Sequence, residues 1–235
     1  ISHDCNLERI SSGINRREIK EMTAGEISGL IFNNCHFATF PELLALIEKH
    51  GATDAIHAIH LKHNIQTKES LEIILDALHG IDCKKIIIFD VTLATAKYLK
   101  ERNNKLNLAP SVAHFFDIER YNNMVGGTLM PMELVLNHSE IFSWVWLDEW
   151  DRTNKVNQSK SLYNKQVFQK FREQGINIAV VSPELHSTSP NLLGGESHQD
   201  AKTTQQLNKR LRDIIGLEPD MICTDYPDLI KEIIS

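Results

Sequence analysis

Long apolar runs are missing from this sequence. Stretches such as Ile86 to Phe89 fall far short of the roughly 18 residues that a membrane-crossing helix needs, so no membrane-spanning segment is expected. Clusters of basic charge are missing as well. No Lys/Arg group is longer than a pair, the net charge is −6 and the pI is near 6.0, so nothing attracts a nucleic-acid backbone and no nucleic-acid partner is expected. Cysteine is scarce: Cys5, Cys35, Cys83 and Cys223 stand at least 30 residues apart. That spacing excludes a short-spaced metal motif and a dense disulfide scaffold, and leaves reduced thiols. No Gly-x-Gly-x-x-Gly, Walker or Gly-x-Ser-x-Gly pattern occurs, which argues against a nucleotide loop and a serine elbow. The opening residues, Ile1-Ser2-His3-Asp4, carry no charged-then-apolar targeting pattern, and the compartment is read as cytoplasmic by default.

What is present is alternation. Short apolar runs at Ala55–Leu61, Lys85–Phe89, Leu108–Ala113, Phe142–Leu147, Asn177–Val181 and Met221–Cys223 predict strands. Between them the spacing Leu71, Ile74, Leu75, Leu78 predicts a helix with one buried face, and Leu207, Leu211, Ile214, Ile215 predicts another. Tyr163, Val167 and Phe171 predict a third, closed by Gly175 in a left-handed cap. A fourth runs from Pro41 to Gly51. Strand–helix alternation of this kind builds parallel sheets. With 235 residues and 42% hydrophobic content, one domain over 1–235 is expected. Polar residues follow most strands directly: His60 and Lys62, Asp90, His114, Asp148 and Glu149, Glu184 and His186, Asp225. If the sheet closes, such side chains share one mouth.

Two segments carry a family resemblance. The first is Ile1-Ser2-His3-Asp4-Cys5-Asn6-Leu7-Glu8-Arg9, continuing through Ser12-Gly13 to Thr23-Ala24-Gly25-Glu26-Ile27. The second is Glu218 to Asp228, containing Thr224-Asp225-Tyr226-Pro227. Together they resemble the glycerophosphodiester phosphodiesterases: a His-Asp motif, a Leu-x-Arg loop, a Thr-x-x-Glu helix start and a closing Thr-Asp-x-Pro. Ile59-His60-Leu61-Lys62 is similar to the family's third-strand Ile-Glu-[Ile/Leu]-Lys, with His60 in place of the Glu. The resemblance implies a (β/α)8 barrel, here missing the first strand and part of the second. It also implies metal-assisted hydrolysis of a glycerophosphodiester to glycerol phosphate and an alcohol. The family's His-Arg-Gly and Glu-x-Asp motifs would precede residue 1, so the chain reads as a partial barrel.

Expectations for the site follow. The resemblance maps general acid/base chemistry onto His3. His60 stands as a candidate metal ligand, and the implied cofactor is a divalent cation, magnesium or calcium; a mouth histidine without metal is the bland alternative. Lys62 is a candidate phosphate contact or a structural partner of a carboxylate. In Trp144 to Glu149, period two puts Trp144, Trp146 and Asp148 on one face, so Trp146 could wall a polyol site or pack in the core. Glu184 and His186 could face the substrate or form a hydrogen-bonded rim. A small-molecule phosphodiester is the expected partner. Two other readings stand beside this one: a barrel that binds a phosphorylated or sugar ligand without turnover, and a sugar-active enzyme using Asp148 and Glu184 as paired carboxylates.

Overall fold

The computed structural model describes residues 1–2, 4–32, 34–51, 54–125, 127–149, 161–185 and 199–235. The chain divides into two compact units, Ile1–Ala55 with Ile74–Ile81, and Ile56–Ile73 with Asp82–Ser235.

In the first unit, helices start where the sequence supplies reciprocal caps. Thr23 accepts from the Glu26 backbone N–H while the Glu26 carboxylate accepts from the Thr23 N–H, starting the helix Ala24–Ser28. Thr39 and Glu42 repeat this device at the helix Phe40–His50, which also carries proline in its first turn and ends before Gly51. The Glu26 carboxyl is held down to about 2 by hydrogen bonds from the Thr23 backbone and side chain and then from Arg17. Between the helices, β1 (Ile31–Phe32) and β2 (Cys35–His36) pair antiparallel. This hairpin was not legible in the sequence, because two-residue strands leave no alternation to read. In the opening loop, Arg9 Nε donates to Asp4 Oδ2 at 2.6 Å, and the chain turns through Ser12 (φ 54°) and Gly13 (φ 84°). The Leu-x-Arg and Gly features therefore build this turn.

The second unit holds β3 (His57–His60), β4 (Ile86–Phe89), β5 (Asn107–Ala109), β6 (Ser111–Val112), β7 (Trp144–Leu147), β8 (Asn177–Val181) and β9 (Met221–Cys223). Every pairing among them is parallel, in the orders β3-β4-β5 and β6-β7-β8-β9. Helices follow the strands: Lys68–Ala77, Leu93–Arg102, Phe115–Val125, Met132–Leu136, Lys165–Glu173, Thr204–Ile215 and Pro227–Ile234. The run expected as one strand over Leu108–Ala113 is two, broken at Pro110. Proline has no N–H for the ladder, so the chain changes partner there. β5 pairs with β4, β6 pairs with β7, and the Pro110 carbonyl still accepts from Trp146 N at 2.9 Å. The two sheets thus continue into one another through a single residue.

Both strand faces are buried. Val145, Leu147, Ile178 and Val180 are fully buried on one face. Their alternates Trp144, Trp146, Ala179 and Val181 join Ile87 and Ala109 in one apolar cluster, with Phe89, Met221 and Cys223 packed against it. Residues of β4 and β8 meet in that cluster although three strand positions separate them. Only a strongly curved sheet allows this, as in a barrel interior filled by side chains from many strands. Outside, Phe168 and Phe171 of the helix Lys165–Glu173 are buried, and Gly175 (φ 70°) ends that helix in the left-handed region that glycine adopts without strain. Among the described residues, no helix is long and apolar enough to cross a membrane.

Candidate active site

The parallel ladder brings distant residues to one end of the strands. The β3–β4 register sets His60 beside Phe89, so Asp90, the next residue, follows at the tip. His60 Nε2 lies 3.0 Å from Asp90 Oδ2. Asp90 is buried and sits at φ 66°, a left-handed conformation that costs an L-residue energy and persists only when its surroundings enforce it. They do. Asp90 N donates to the Ala109 carbonyl at 2.9 Å, and Gln66 Nε2 donates to the Asp90 carbonyl at 2.7 Å. The buried Thr128 hydroxyl reaches both that carbonyl, at 2.7 Å, and Asp90 Oδ1. Gln66 in turn accepts from Thr92 N at 3.0 Å, tying the start of the helix Leu93–Arg102 to the same tip. The His60 ring stacks on Phe89 with centroids 4.5 Å apart, and Phe89 stacks on Trp146 at 4.0 Å.

At the other tips, carboxylates fasten the fold. Glu149 Oε2 accepts from the backbone N–H groups of Leu162 (2.5 Å) and Tyr163 (2.9 Å), and Oε1 pairs with Arg210 Nη2. The Tyr163 hydroxyl lies 3.0 Å from the Leu147 carbonyl and 2.7 Å from that of Val181, bridging β7 and β8 where they part. Burial, then the charges of Asp148 and Glu149, push its pKa well up. Glu184 Oε1 accepts from Ser182 Oγ and Thr224 Oγ1, both at 2.5 Å, and from Asp225 N at 3.2 Å. Burial, then Asp148, Asp225 and Glu184, push the Cys223 thiol up to about 11. Negative charge is therefore concentrated around β9. A hollow of about 550 Å³ opens there, lined among others by Glu184, Lys202, Thr203, Asp225, Tyr226 and Asp228.

The expected residues fare differently. His3 and His186 lie outside the described residues. His60 is joined to Asp90, and Glu184 to Asp225. Lys62 follows His60 by two residues in extended backbone. Trp146, expected as a possible substrate wall, is 6% exposed in the inner apolar cluster, so its ring serves packing. Sequence reasoning missed Thr128, Gln66 and Arg210, whose polar character gave no hint of a partner.

The divalent cation implied by resemblance meets a poor fit among the described residues. No three His, Cys, Asp or Glu side chains there form a ligand set. His60 Nε2 and Asp90 Oδ2 engage each other, and Oδ1 is engaged by Thr128.

No protein-family model matches the sequence, and no curated protein is similar to it at the sequence level. Solved structures are similar. A glycerophosphoryl diester phosphodiesterase from Parabacteroides distasonis has a TM-score of 0.62 at 16% identity, over 99% of this chain and 69% of its own. A glycerophosphodiester phosphodiesterase from Agrobacterium tumefaciens has a TM-score of 0.55 at 16% identity, over 99% of this chain and 78% of its own. The parallel strands, their helices and these likenesses together give the chain the fold of the glycerophosphodiester phosphodiesterases, an α/β barrel.

Proposed function

We propose that the chain is a phosphoric diester hydrolase that cleaves glycerophosphodiesters to glycerol phosphate and an alcohol. The observation that carries the reading is the fold likeness over 99% of the chain to phosphodiesterases of that name, joined to the terminal motifs. Polar side chains gathered at the C-terminal tips of parallel strands, where barrels of this class hold their active sites, support it.

The substrate is an anion, so attack on phosphorus needs a base for water, an acid for the leaving alkoxide and positive charge on the phosphoryl oxygens. The resemblance assigns proton transfer to His3 and a phosphate contact to Lys62. A divalent cation, magnesium or calcium, would supply Lewis-acid stabilisation when bound. It belongs to the proposal through the resemblance alone, and no step is assigned to it because the described donors do not assemble around it.

Release of glycerol phosphate from glycerophosphocholine, with and without chelator and with His3→Ala, tests the reading. Turnover lost in His3→Ala supports the role of that residue. Undiminished turnover in both tests refutes the proposed mechanism, and no turnover of any glycerophosphodiester refutes the hydrolase. In that last case the second reading, a barrel that binds a phosphorylated ligand without turnover, is favoured by the missing ligand set. Calorimetric binding of glycerophosphocholine without product would establish it.

A further inference from the structure

The β3–β4 tip has the construction of a proton-transfer pair. An ionised carboxylate can only accept hydrogen bonds, so with Asp90 Oδ2 3.0 Å from His60 Nε2 the neutral imidazole keeps its proton on Nε2 and its lone pair on Nδ1. The ring is held flat against Phe89. Its orienting carboxylate is fixed by Thr128 and by the clamped, left-handed backbone of Asp90. Exposure separates the roles: the His60 side chain is 33% accessible and that of Asp90 13%, so the imidazole is within reach of a ligand while the carboxylate is shielded. A histidine that served only to fill space would need neither the strained backbone nor the buried acceptor, whereas an imidazole that exchanges protons needs a fixed tautomer and a counter-charge for its protonated form.

We propose that His60 is a catalytic base of this chain and that Asp90 is its positioning residue, at the strand tip where the resembling enzymes carry a carboxylate. The inference rests on the phosphodiesterase reading above. In the step, His60 Nδ1 takes a proton from water as the water oxygen forms a bond to phosphorus. The bond from phosphorus to the alcohol oxygen breaks, and that oxygen leaves with the electron pair. The leaving alkoxide takes a proton from solvent, and the imidazolium returns its own to solvent. Diester and water thus become monoester and alcohol with nothing left over.

Two measurements test this on the full chain. The first needs no turnover: ring-nitrogen NMR of His60 at neutral pH. An Nε2–H tautomer in the wild type that gives way in Asp90→Asn supports the pair, and an Nδ1–H tautomer in the wild type overturns it. The second is kinetic, on glycerophosphocholine. His60→Gln is expected to lower kcat by about 10²–10³-fold with KM little changed, the range for loss of a general base. His60→Ala is expected to recover part of its loss with added imidazole, a rescue that a merely structural residue does not show. Wild-type kcat in His60→Gln, or a folded His60→Ala that imidazole leaves unchanged, overturns the role. If the wild type cleaves no glycerophosphodiester, the hydrolase reading fails by itself, and the tautomer measurement still decides the pair.

Discussion

At the β3–β4 tips, Asp90 turns a carboxylate oxygen toward an imidazole that is one-third exposed. At the β7–β9 tips, Glu149 and Glu184 turn theirs toward backbone N–H groups, buried hydroxyls and an inner guanidinium. The same residue types at the same end of the same sheet therefore do different work. Where a carboxylate holds backbone, removing it loosens the fold. Where it holds an imidazole, removing it changes the ring's proton and leaves the backbone bonds of the strands in place. What separates the two regions is the partner each carboxylate meets.

The contrast can be broken most forcefully at Arg210. Its side chain is 10% exposed against 2% for Glu149, and losing one partner leaves the other charge buried without its counter-ion. Arg210→Met is expected to cost about 3–5 kcal/mol, read as a lower urea midpoint. An effect below that of an ordinary surface substitution would mean that Glu149 is not a fastener. Tyr163→Phe comes next. It removes the hydroxyl that bridges the Leu147 and Val181 carbonyls. The expected loss is about 1–2 kcal/mol by the same titration.

Cys223 sharpens the comparison through pH. Its folded pKa of about 11 stands above the ordinary 9.0, so the folded state holds a proton that the unfolded state has released between those values. Stability from this source is complete below pH 9 and declines as pH rises to 11. Cys223→Ala should therefore flatten the wild-type decline over that window, and parallel curves would contradict the carboxylate-crowded environment. At the small end, Lys209→Ala breaks an exposed i, i+4 pair with Asp213 at 3.1 Å. It should move stability by no more than about 0.5 kcal/mol in thermal melts, which sets the baseline for the larger effects.

Much of the fold could be read from pattern. Strands at Lys85–Phe89, Phe142–Leu147, Asn177–Val181 and Met221–Cys223, and helices around Leu71–Leu78, Tyr163–Phe171 and Leu207–Ile215, are where apolar periodicity puts them, within a residue or a few. The helices Leu93–Arg102 and Phe115–Val125 were less legible. Leu93–Arg102 is largely polar along its length, with Thr95, Ala96 and Leu99 as its buried residues, so it presents little apolar stripe. The candidate site was legible as a set of strand-end residues and illegible as a set of partners. His60 and Asp90 are 30 residues apart, and neither reveals the other without the parallel register that makes them neighbours. The same holds for Arg210 and Glu149, 61 residues apart.

Composition and periodicity determined the class: alternating strands and helices, parallel pairing, polar residues at the strand ends. Those features follow from local sterics and from which side chains must leave water, and each residue carries that information itself. The tertiary structure alone decided that Trp146 lies inside the core, that Pro110 divides one strand between two ladders, and that Asp90 meets an imidazole while Glu149 meets a guanidinium. Such choices depend on distances between segments remote in sequence, and those distances exist only once the sheet has curved and its register is set.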